Sequence, residues 1–100
     1  MEFYYALYYQ GKELIVAVCD EDTLDKSFSC DEKGIKIDVK KAFYGKNKGQ
    51  KEDILPHMKD ATILNLVGKD IIKIALEEGL ISKECILVID KTLHAQMAKL

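Results

Sequence analysis

One hundred residues suffice for one domain, spanning 1–100, that buries roughly two-thirds of the surface its unfolded chain exposes. Hydrophobic side chains at 48 % and charged ones at 32 % exclude a disordered chain, and no apolar run nears the ~18 residues of a membrane helix. The formal charge is −2 and all fifteen basic residues are Lys, so the planar Arg fork that reads phosphate or guanine bidentately is excluded.

Residues 3–9 and 13–19 are two runs of strand formers around Gly11. A two-residue turn, Gln10-Gly11 or Gly11-Lys12, closes them into an antiparallel hairpin. Alternation then puts Phe3, Tyr5, Leu7, Tyr9, Leu14, Val16 and Val18 on one face, which is bulky and belongs to the core. The other face carries Tyr4, Ala6 and Tyr8 with Ile15, Ala17 and Cys19. It lacks the polar residues of a wet face, so helices of this chain or a second subunit must cover it.

Asp20-Glu21-Asp22-Thr23-Leu24-Asp25-Lys26 reads as an acidic first helical turn after an Asp cap. The four acids do not form a calcium loop, because position six lacks Gly and position twelve lacks a suitable acid; no metal is expected. Residues 27–30 and 34–39 read as two short strands around Asp31-Glu32-Lys33-Gly34. Residues 45–50, GKNKGQ, read as a mobile polar loop.

Glu52-Asp53 with Pro56 marks a short helix start, Pro being tolerated in a first turn. Residues 61–67 (ATILNLV) form a strand, Gly68 a junction, and Ile71, Ile72, Ile74 and Ala75 the apolar side of a helix that Gly79 ends. Residues 84–90 (ECILVID) are nearly all apolar and predict a central strand, completing a βαβ unit. The expected fold is α/β, with α+β also fitting: an N-terminal hairpin and a C-terminal βαβ unit in a single two-layer domain.

Four islands then carry a family likeness: Cys19-Asp20-Glu21, Phe43-Tyr44-Gly45, ATILNLVG over 61–68, and His94-Ala95-Gln96. In this order and spacing the chain resembles an archaeal family catalogued as domain of unknown function 424, over nearly its whole length. Leu93 stands where that family commonly has Pro before the His-Ala-Gln triplet. The resemblance implies an α/β domain of archaeal cytosolic origin and supplies no activity.

The chemistry is concentrated in residues 36–51, KIDVKKAFYGKNKGQK. Six Lys face one acid there, a net +5, while nine Lys face sixteen acids elsewhere, a net −7. A basic island in an acidic protein steers polyanions to one site. Phe43 and Tyr44 lie within it, and rings flanked by Lys suit single-stranded RNA, with bases stacking and phosphates loosely neutralised. The candidate surface is Lys40, Lys41, Phe43, Tyr44, Lys46, Lys48 and Lys51. The alternative is that the two rings anchor a short helix while the lysines solvate it.

Gly68-Lys69 is a second candidate, for an anion at a helix start, but a packing turn fits it better. His94, Gln96 and Asn65 could line a polar pocket. Catalysis would need Cys19 or Cys85 beside His57 or His94, and no spacing unites them. Cys19, Cys30 and Cys85 contain no C-x-x-C and predict reduced, mostly buried thiols. With no leader pattern, a cytoplasmic location is expected. The leading expectation is a non-enzymatic module for RNA or a ribonucleoprotein, with no cofactor. Dimerisation through the Tyr-rich hairpin comes second, a Cys/His enzyme third.

Overall fold

A computed structural model describes residues 1–99. Two strands open the chain, β1 (Glu2–Gln10) and β2 (Glu13–Asp20), pairing from Gln10↔Glu13 to Phe3↔Asp20. The turn residues are Gly11 and Lys12, and Gly11 takes φ 59°, which a side chain would resist. Next come β3 (Ser27–Cys30) and β4 (Ile35–Asp38), a separate two-stranded ribbon whose turn ends on Gly34 at φ 64°. A single helical turn, α1 (Lys41–Tyr44), leads to β5 (Asn47–Gln50) and α2 (Lys51–Asp60). The second half runs β6 (Ile63–Val67), α3 (Lys69–Glu77), β7 (Ile86–Ile89) and β8 (Thr92–Ala98).

Six strands form one mixed sheet in the order β5-β1-β2-β6-β8-β7, and only β2 and β6 are parallel neighbours. The arrangement is an α+β domain with the expected hairpin. In its C-terminal half β6 and β7 run the same way around α3, but β8 lies between them.

The first face is the main core. Phe3, Val16, Val18, Leu64 and Leu66 meet Ile54 and Met58 of α2 and Ile71, Ile72 and Ala75 of α3. Tyr9, expected on this face, is exposed instead, because it lies at the hairpin tip beyond the helices. The second face is covered by this chain itself. Ala17, Cys19 and Val67 pack with Val39 and Tyr44, and Tyr4, Tyr8, Leu24, Phe28 and Ile37 surround them.

Four expectations need correction. The stretch from Asn47 to Gln50 is an edge strand on β1, not a mobile loop. Its polarity is what an edge tolerates, since its outer side meets water and charge there blunts further pairing. The apolar β7 is the opposite edge rather than central. The reason is β8, whose Leu93, Ala95 and Met97 join the main core while Thr92, His94, Gln96 and Ala98 alternate onto the other face. Pro56 lies inside α2, past its first turn. It is exposed, so the Glu52 carbonyl it leaves unbonded is on the solvent side. After Asp20 there is only a three-residue helical turn, Glu21–Thr23, and the Asp20 side chain does not cap it.

Candidate nucleic-acid interface

The basic segment wraps the outer edge of the hairpin. Its two rings part company within α1, because adjacent helical residues point about 100° apart. Tyr44 turns inward to 4 % exposure among the second-face residues, and its hydroxyl donates to Asn65 Oδ1 at 2.6 Å. Burial pushes the phenol pKa well above its usual range. No base can stack on this ring, so its place in the expected contact surface is corrected: Tyr44 anchors α1.

Phe43 stays at the surface with 37 % exposure. Its ring lies nearly parallel to Tyr8, 9° off at 5.1 Å, and meets Tyr44 edge-on at 4.9 Å. The Tyr8 hydroxyl donates to the Phe43 carbonyl at 2.7 Å, holding α1 to β1. Lys46 Nζ lies 4.7 Å from the centre of the Tyr8 ring. Tyr8 therefore belongs to this surface. It lies 35 residues from Phe43, and its signals in the sequence are an aromatic on a face needing cover and a hydroxyl that, like those of Tyr4 and Tyr9, wants water or a partner.

The lysines divide into two groups. Lys48 pairs with Glu21 at 2.6 Å and Glu2 at 3.9 Å and sits over Tyr4. Glu21 holds its ammonium above the ordinary lysine range. Among the described residues Lys40, Lys41, Lys46 and Lys51 make no ion pair and are exposed. Lys40, Lys41 and Lys46 flank Phe43 in the chain, whereas Lys51 begins α2 beyond β5.

Asn65, His94 and Gln96 do share the second face, with Asn65 directly opposite Gln96 and Val67 opposite His94. Asn65 is engaged by Tyr44. His94 Nδ1 is 2.9 Å from the Leu66 carbonyl, and burial lowers the imidazole pKa despite that bond. The Tyr44–Asn65 bond thus joins this polar row to the basic segment. Cys19 and His94 are not brought together. Cys19 is two strands from His94 with Val67 between them, about 10 Å at the ordinary strand spacing. Burial pushes the Cys19 thiol up to about 11. His57 stacks on Tyr5 at 5.8 Å, towards the main core. No three His, Cys, Asp or Glu side chains among the described residues are placed to hold a metal ion.

At the start of α3, Asp20 accepts from the backbone N–H groups of Asp70 and Ile71, both at 2.9 Å. Those amides are spent on the protein, which makes Gly68-Lys69 a packing turn.

Such a mixed six-stranded α+β domain, with one self-covered face and one basic, aromatic edge, defines the class of this protein. The chain belongs to the family described as Protein of unknown function (DUF424), whose model matches residues 8–100 and so takes in all four islands. It is similar in fold to an uncharacterized conserved protein from Methanopyrus kandleri, known from a crystal structure. The two are 19 % identical with a TM-score of 0.76, covering 97 % of this chain and 90 % of that one. No curated protein matches the chain. No helix among the described residues is long and apolar enough to cross a membrane.

Proposed function

We propose that this domain binds single-stranded RNA, free or in a ribonucleoprotein, through the edge formed by α1 and the start of β5. The observation that carries this reading is the Phe43 ring. It is exposed yet fixed by Tyr8, and neighbouring Lys40, Lys41 and Lys46 form no ion pair within 4.0 Å among the described residues. A pre-ordered ring loses little freedom when a base stacks on it, and nearby ammonium groups neutralise the adjoining phosphates. Lysine point charges carry no base code, so the expected binding is weakly sequence-selective.

Anisotropy titrations with labelled single-stranded and duplex RNA test this. The single strand should bind preferentially, with a salt slope near −2 if three lysines act at about −0.7 per phosphate. Phe43→Ala should lose roughly 1–3 kcal/mol of single-strand affinity and keep its fold. Absence of RNA binding at low salt, or unchanged affinity in Phe43→Ala, would sink the proposal.

A further inference from the structure

A crevice of about 340 Å³ opens beyond the carboxyl ends of the parallel pair β2 and β6, between α3, the ribbon β3–β4 and the β7–β8 turn. Carboxyl ends of parallel strands are where open α/β sheets most often receive small ligands, and the volume suits one. It lies apart from the Phe43 surface and shares no residue with it.

Its lining is of mixed sign. Lys26, Lys69 and Lys91 reach it from three different segments, and Asp22 and Asp70 face it as well. Among the described residues none of these five enters an ion pair within 4.0 Å. Opposite charges are therefore held around one cavity without neutralising each other. Phe28 supplies an apolar wall. Thr92 is only 4 % exposed and lines the same space. No side-chain N or O sealed from water lacks a hydrogen-bond partner among the described residues.

We infer that this crevice binds a small zwitterion of the amino-acid type. The lysines take the carboxylate, Asp22 and Asp70 take the ammonium, Thr92 adds a hydrogen bond, and Phe28 covers the apolar part. A simple polyanion fits less well, because three carboxylates, Asp20, Asp22 and Asp70, line the space and would repel it, and Asp20 already occupies the Asp70 and Ile71 amides of α3. A simple cation meets three lysines.

The test is an NMR titration of the ¹⁵N-labelled protein with L-phenylalanine and L-leucine, up to roughly 10 mM to cover millimolar affinity. N-acetyl-L-phenylalanine lacks the ammonium, L-phenylalaninamide lacks the carboxylate, and uridine monophosphate presents an anion with an aromatic base. The zwitterions should shift the amides of Thr23, Lys69, Asp70 and Thr92, and each one-charge analogue should bind at least about tenfold more weakly. Lys91→Gln and Asp22→Asn, both at exposed positions, should each weaken binding severalfold with unchanged melting. The inference is overturned if neither zwitterion shifts these amides, if the one-charge analogues bind equally well, or if only the nucleotide binds.

Discussion

The carboxylate of Asp20 occupies the space that a side chain on Gly68 would fill. A Cβ built on Gly68 would lie 2.5 Å from Asp20 Oδ2 and closer still to its Cγ. The same carboxylate receives the first free amides of α3, so a residue at the end of β2 caps a helix 50 positions later. Gly68 also sits at φ 124°, a conformation open essentially to glycine.

Gly68→Ala should therefore cost roughly 2–4 kcal/mol, combining backbone strain with a displaced cap. Asp20→Ala alone should cost about 0.5–2 kcal/mol. In urea unfolding the double variant should be more stable than the sum of the two losses, since removing Asp20 relieves the clash. Strict additivity would show that the two residues do not compete for this space.

Stability should depend on pH through two groups with opposite slopes. Burial raises the Asp20 pKa from 3.8 to about 6 against the pull of its two amide bonds. Between those values the folded state holds the proton longer than the unfolded one. Stability should fall by up to about 3 kcal/mol as pH rises through this window. Burial lowers the His94 pKa below 6.5, so its contribution is present above 6.5 and lost as pH falls through the folded value. In Asp20→Asn the loss of stability with rising pH should disappear. Urea midpoints from about pH 4 to 7.5 measure this, and an unchanged profile in Asp20→Asn would contradict it.

The Tyr44–Asn65 bond should be a structural link rather than part of a binding surface. Tyr44→Phe should cost about 1–3 kcal/mol by stranding the half-buried Asn65 oxygen, and Tyr44→Ala about 3–5 kcal/mol through the cavity left. Calorimetry reads both. A Tyr44→Phe variant as stable as the parent would place no energy on the bond.

Lys46 and Lys48 should differ although both lie in the basic island. Lys48 is already neutralised by Glu21, so Lys48→Gln should change RNA affinity less than Lys46→Gln does. Both should leave the melting temperature nearly unchanged, as exposed charges contribute little to folding. Equal losses of affinity would show that Lys48 leaves its ion pair to meet the ligand.

Thiol labelling should separate the cysteines. Cys19 is buried with a thiol raised to about 11, so iodoacetamide should spare it until the protein unfolds. Cys30 and Cys85 are partly exposed and should react in the folded state. Mass mapping of Cys19 labelled at the same rate as the other two would refute its burial.

Local pattern determined a good part of this protein. Alternating apolar residues set both faces of the hairpin, Ile35 and Ile37 marked the ribbon, and Ile71, Ile72 and Ala75 with Gly79 delimited α3. These are short-range consequences of pleat, helical period and left-handed caps, and they need no knowledge of the rest of the chain. The strand β8 was not among the sequence expectations, although Leu93, Ala95 and Met97 alternate with His94 and Gln96 at strand period.

Tertiary structure alone decided which segments meet. That β8 enters between β6 and β7 depends on which backbone edges remain unpaired once the sheet assembles, and composition does not encode this. Phe43 and Tyr44 are neighbours of similar apolarity, yet the face of α1 turned towards Asn65 buries one and exposes the other. Asp20 looked like the cap of the turn that follows it. It caps α3 instead because parallel pairing of β2 with β6 ends both strands at the same level, and Gly68 leaves room there for the carboxylate to reach the helix.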